Sequence, residues 1–107
     1  MTDRVLSMLS LSKKAGRLKS GAYQTEDALK SGKACLVIVS SDASENTRKH
    51  FSDMASFRHV PFRIYSDSGS LGSSVGAESR MSMAVTDHSF AEKILELIDN
   101  AADTRRS

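Results

Sequence analysis

The run Ala34-Cys35-Leu36-Val37-Ile38-Val39 limits the folds open to this chain more than any other stretch. A strand covered on one face alternates apolar and polar residues. A continuous, β-branched run of this length requires cover on both faces, as strands inside α/β proteins have. The residues before it, GRLKSGAYQTEDALKSGK over 16–33, supply a candidate for part of that cover. They read as a strand-like pair, Leu18-Lys19, a Ser20-Gly21 turn, a helical pattern and a Ser31-Gly32 stop. Ser20 is expected to cap the helix through its hydroxyl, and Gly32 suits the left-handed position just past a helix end. Ala22, Thr25, Ala28 and Leu29 recur at helical spacing and predict a buried stripe, leaving Tyr23, Gln24, Asp27 and Lys30 on the wet side.

The rest of the chain alternates in the same manner. Thr2 or Asp3 can cap a first helix that runs to about Ala15 and ends at Gly16. Val5, Met8 and Leu9 face one way on it, and Arg4, Ser7, Ser10 and Lys14 the other. Lys13 and Lys14 fall in its last turn, where cations complement the helix dipole. After the apolar strand, 40–44 is a turn with Asp42 or Ser44 as cap. A helix over 45–58 follows, with Phe51, Met54, Ala55 and Phe57 as its apolar residues. His59-Val60-Pro61 breaks it, and 62–65 forms another strand. The Ser/Gly-rich stretch 66–76 predicts only a weak short helix. Glu78-Ser79-Arg80 is a loop, 81–86 alternates as a half-buried strand would, and Asp87 caps a last helix. Phe90, Ile94, Leu97, Ile98 and Ala101 line one face of that helix, and 103–107 is expected to fray. The order predicts an α/β fold, a three-layer α/β/α sandwich, and the length of 107 residues predicts a single domain over 1–107. Pattern alone leaves the strand order open.

Several function classes find no support in these residues. No apolar run approaches the ~20 residues of a membrane span, and no secretory segment opens the chain. The lone Cys35 has no disulfide partner, reads as a small core residue, and fits a reducing cytoplasm. His50, His59 and His88 lack metal-ligand spacing. LGSSVG over 71–76 lacks the lysine of a phosphate-binding loop, and no nucleophile elbow occurs. Neither a catalytic residue, a cofactor, a metal nor a small-molecule substrate is therefore expected. The net charge is only +2, but residues 1–33 carry seven Lys/Arg against three Asp/Glu, while 67–107 carry four against seven. That asymmetry suggests one positive face. A helix start with free amides, near Arg17, Lys19 and Lys33 in sequence, suits a phosphate backbone. An ordinary surface helix with a solvated basic flank is the plainer reading of the same residues.

The ordered set GRLKSGAYQTEDALKSGKACLVIVSSDASENT, VPF, LGSSVG and AVTD resembles the kink-turn RNA-binding superfamily of ribosomal proteins. The group is the L-seven-Ae and L-thirty-e type, and the likeness is greatest to its small bacterial YlxQ-like branch. It covers about residues 4–98. The resemblance implies a four-stranded mixed sheet whose first strand is Leu18-Lys19. It further implies binding of structured RNA, ribosomal RNA or another kink-turn-like RNA, as a ribosomal or ribosome-associated protein. In that family two elements grip the RNA: the turn and first helical turns after a glycine, here Gly21, and a loop before the last strand, here about 77–81. Ser79 and Arg80 occupy that loop, and Arg17, Lys19 and Lys33 keep a basic character for phosphates. Tyr23 stands where the family usually has asparagine, Gln24 where it has glutamate, and Asp27 where it has lysine. Those three contact the sheared G·A pairs of a kink-turn, so the departures imply a different RNA or a weaker grip. A protein-interaction module on the same scaffold is the alternative.

Overall fold

The computed structural model describes residues 3–106, with side chains described as far as Asn100. Its centre is β2 (Leu36–Val39), buried at every residue. Beside it lie β3 (Phe62–Ile64), parallel, and β4 (Ser82–Val85), antiparallel. β1 (Leu18–Ser20) closes the other edge against β4, giving a mixed sheet of order β1-β4-β2-β3.

Helices cover both faces. On one, α1 (Arg4–Lys14), α4 (Ser68–Ser74) and α5 (His88–Arg106) pack Val5, Leu9, Leu71 and Ile94 onto Leu36, Ile38, Met83 and Val85. On the other, α2 (Ala22–Lys30) and α3 (Glu45–Phe57) pack Ala28, Leu29, Phe51 and Ala55 onto Val37, Val39 and Ala84. This is the three-layer α/β/α sandwich with a four-stranded mixed sheet.

Local signals set most boundaries. Asp3 caps α1, accepting from Leu6 N–H at 3.1 Å, and its other oxygen accepts from the Tyr65 hydroxyl at 2.7 Å. Ser44, not Asp42, caps α3. Asp87 accepts from Phe90 N–H at 3.0 Å and so begins α5. The stretch expected to be a weak helix forms α4, because Asp67 caps it and Leu71 and Gly72 are buried.

Three expectations are corrected. β4 is wholly rather than half buried, since it lies between two strands and Ser82 and Ala84 are small enough to sit under α2 and its neighbours. Phe57 is 80% exposed, because it falls off the stripe that Phe51 and Ala55 define. Ala22 is exposed at the first position of α2. The backbone of α5 is helical to Arg106, and the expectations for Ser107 and for the side chain of Ala101 fall outside the described residues. No helix among the described residues is long and apolar enough to cross a membrane.

Candidate nucleic-acid interface

β1 and α2 form a tight strand-turn-helix unit around Gly21. Gly21 N–H donates to the Ser82 carbonyl at 2.9 Å, which extends the β1–β4 ladder by one step. The backbone then turns at φ +96°, ψ 158°, a region that essentially only glycine occupies. Thr25, fully buried, donates to the Gly21 carbonyl twice: from its N–H at 2.9 Å and from its hydroxyl at 2.7 Å. The turn is therefore held from beneath. Ser20, expected as the cap, belongs to β1 and makes no capping bond; Gly21 is the cap residue, and α2 starts with no side-chain acceptor on its first amides. An uncapped helix start keeps donors and partial positive charge available to an outside anion.

The loop over 77–81 comes to the same end of the sheet. Its Arg80 donates from Nε to Ser20 Oγ at 3.2 Å and from Nη1 to the Ser79 carbonyl at 2.8 Å. A Cβ placed on Gly21 would lie 4.0 Å from Arg80 Nε, so the guanidinium sits beside the glycine turn. Arg80 N–H donates to the Ser68 carbonyl at 2.9 Å, and Ser79 packs on Gly72 so closely that a Cβ there would be 2.5 Å from its Cα. The loop is thus seated on α4, and α4 in turn is anchored where Asp42 accepts from Ser68 N–H and hydroxyl at 3.0 and 2.7 Å. Those hydrogen bonds hold the Asp42 carboxyl below its ordinary value.

Of the residues singled out from the sequence, the fold brings Gly21, Tyr23, Gln24, Ser79 and Arg80 to this end. Tyr23 is 81% exposed on the first turn of α2, and Met81 is exposed beside Arg80. Gln24 is also exposed, and Asp27 lies a turn further along, exposed too. Lys19, exposed in β1, pairs with Ala84 on the side of the sheet that carries α2. Arg17 and Lys33 do not join the helix start. β1 runs up to Gly21 and α2 runs back down, so Lys33 lies beyond the last turn of α2, two residues before Cys35, whose N–H reaches the Val85 carbonyl. Arg17 is at that same lower end, its carbonyl accepting from Thr86 at 2.8 Å. A helix of nine residues separates the two ends by about 13 Å. Sequence reading missed the Ser20 hydroxyl as the anchor of Arg80; a serine one residue before a glycine turn carries no signal that would have found it.

Elsewhere, His50 meets Glu26 at 2.6 Å on the outer face of α3 and α2. No group of His, Cys, Asp or Glu among the described residues has metal-holding geometry.

The fold and this end of the sheet define a class: small α/β/α sandwiches that present an open helix start beside an arginine-bearing loop. The chain belongs to the ribosomal protein L7Ae/L30e/S12e/Gadd45 family, whose model matches residues 3–96. It is 35% identical over 92 residues to the RNA-binding protein YlxQ of Bacillus subtilis (strain 168), covering 86% of this chain and 92% of that one. It is 33% identical over 98 residues to the RNA-binding protein YlxQ of Enterococcus faecium, covering 91% and 93%. Among solved structures, a protein of unknown function from Bacillus halodurans superposes with a TM-score of 0.88 at 33% identity, over 92% of this chain and 99% of that one. The 15.5kD RNA binding protein of Giardia lamblia superposes at 0.74 with 17% identity, over 94% and 89%, a likeness of fold.

Proposed function

We propose that this chain binds structured RNA at the Gly21–Arg80 end of its sheet, as a ribosomal or ribosome-associated protein of the cytoplasm acting through one domain. It works by binding, not by catalysis. The observation that carries the reading is the Arg80 guanidinium held on Ser20 beside the uncapped start of α2, with Tyr23 exposed on the first helical turn. Free amides and a fixed guanidinium suit phosphate oxygens, and an exposed ring suits a splayed base. Family membership and the names of the curated relatives point the same way.

The RNA is a kink-turn-like bend read in an altered manner. Tyr23 offers a stacking surface rather than an amide edge, worth roughly 1–3 kcal/mol for a good base stack. Asp27 places a carboxylate where a phosphate would be repelled, so contact concentrates on the first turn and on the Arg80 loop.

Filter-binding titrations of the protein against a kink-turn RNA, a bulged hairpin and a plain duplex, each at several salt concentrations, test this. Affinity should fall linearly with the logarithm of salt, as counterion release requires. Tyr23→Ala should narrow the differences among the three RNAs while Arg80→Ala weakens all of them. Absence of binding in dilute salt, or a nuclease-resistant protein partner recovered without RNA, refutes the reading.

A further inference from the structure

The lower end of the sheet holds a second constellation, which the glycine-turn face does not use. A cleft of about 410 Å³ opens there between the end of α2, the end of α3 and the start of α5. Arg58, His59 and His88 line it together with Cys35, Gly32 and Ala34. His88 is thus brought from the start of α5 to the Arg58-His59 pair at the end of α3. His59 closes α3 in the left-handed region at φ +57°, which turns the chain sharply into Val60-Pro61 and leaves the imidazole exposed. Lys33 sits between two of the lining residues, and Arg17 is tied to Thr86, two positions before His88. Among the described residues no carboxylate lines the cleft, although the charge of Asp87 reaches the lining Cys35. The nearest in sequence, Asp87, is engaged as the cap of α5. Cys35 is not a nucleophile for this site: burial first, and the Asp87 charge second, push its thiol up from the ordinary value.

Phe57 directly precedes Arg58, a lining residue. It is 80% exposed, and the Arg58 guanidinium carbon lies 5.4 Å from its ring centroid, covering one face and leaving the other to solvent. An exposed aromatic ring backed by an arginine, next to an arginine-bearing cleft of small-ligand size, matches what an unpaired nucleotide needs: a stacking plane and a seat for its phosphate. We propose that the Phe57–Arg58 pair and the Arg58/His59/His88 cleft bind a single-stranded RNA segment, so that one chain engages a structured element at its upper end and an unpaired tail at its lower end. Charge complementarity selects the occupant. Arg58 in the lining, Lys33 between the lining residues Gly32 and Ala34, and Arg17 at the same end of the sheet outnumber the carboxylate of Asp87, which suits a phosphodiester chain.

The test is amide shift mapping on the intact chain with three separate probes: a short oligouridylate, uridine monophosphate, and a tailless structured hairpin. The oligouridylate should move the resonances of 32–34, 58–60 and His88. Phe57→Ala, harmless to the fold at so exposed a position, and Arg58→Ala should each weaken oligouridylate binding by about tenfold. Both should leave hairpin binding unchanged, and Arg80→Ala should do the reverse. The proposal is overturned if the oligouridylate shifts fall on Gly21, Tyr23 and Arg80 instead, if it produces none, or if the mononucleotide binds as tightly as the oligomer. Unaltered affinity in both cleft variants overturns it as well. Because the hairpin is titrated on its own, these outcomes leave the reading of the upper face standing or falling separately.

Discussion

Arg80 and Ser20 stand sixty positions apart in sequence, yet Nε of the first donates to the hydroxyl of the second at 3.2 Å. That bond joins the loop before β4 to the last residue of β1, over the start of α2. A flexible arginine becomes a positioned one, and less rotamer entropy is lost when it meets a phosphate.

Removing the guanidinium should therefore affect binding without affecting folding. Arg80→Ala is expected to lower RNA affinity and to reduce the salt slope by about one. Ser20→Ala should give a smaller loss, because Arg80 keeps its bond to the Ser79 carbonyl at 2.8 Å while losing the tether. Both variants should unfold within about 0.5 kcal/mol of the parent chain, as expected for changes away from the core. Titration and urea unfolding on the same samples check this; a slope unchanged in Arg80→Ala contradicts the phosphate role.

Gly21 is required for its backbone rather than for space. A Cβ there would meet nothing closer than 4.0 Å, but φ +96° with ψ 158° strains any L side chain. Gly21→Ala should cost about 1–3 kcal/mol. It should also disturb the carbonyl that Thr25 holds from below. Urea unfolding gives the cost, and RNA titration should show a loss exceeding that of Tyr23→Ala.

Gly72 presents the opposite case, a matter of space. Its backbone is ordinary helix, yet a Cβ would lie 2.5 Å from Ser79 Cα and 2.7 Å from Ser79 N. Backbone cannot swing aside as a side-chain tip can, so Gly72→Ala should push the 77–81 loop off α4 and cost about 1–3 kcal/mol. For a domain of this size the melting temperature should fall by several degrees. RNA affinity should drop in parallel, since Arg80 rides on that loop. A melting temperature equal to that of the parent chain rejects the packing argument.

The strands and helices were largely legible because burial imposes periodicity. Leu36–Val39 has no polar residue and proved to be buried throughout. β4 misled because Ser82 and Ala84 read as the wet half of an alternation, whereas small residues can also line a face pressed against helices. Ser20 looked like a cap because caps and strand ends favour overlapping residue types; the β1–β4 ladder took it, and Gly21 filled the cap position. For the site, sequence proximity stood in for spatial proximity. Arg17 and Lys33 flank the α2 segment in sequence, but the reversal at Gly21 sends both to the far end. The Arg58-His59 pair and His88 show the converse: distant in sequence, they share one cleft. Such pairings depend on strand order, which pattern alone left open.

Acid should loosen the fold through two carboxylates. Ser68 holds the Asp42 carboxyl below its ordinary value of 3.8 by donating from both its hydroxyl and its N–H. Arg63 does the same for Asp99 through a forked pair, Nε to Oδ1 at 3.0 Å and Nη2 to Oδ2 at 3.1 Å. In both cases the folded state binds the proton less readily than the unfolded chain. The stabilisation is therefore fully present above the ordinary carboxylate value and is lost as pH falls through and below it. Asp99 is half exposed and Asp42 is exposed, so solvent screening keeps both electrostatic shares small. Asp42 ties the β2–α3 turn to the start of α4, so its protonation should also release the Arg80 loop, whose N–H rests on the Ser68 carbonyl. Urea midpoints measured from neutral pH down into the acid range should hold steady and then decline below about pH 4. Asp42→Asn should begin lower at neutral pH and decline less steeply, and Asp99→Asn should change the curve only slightly. An Asp42→Asn curve parallel to that of the parent chain would show that this carboxylate contributes nothing to the acid transition.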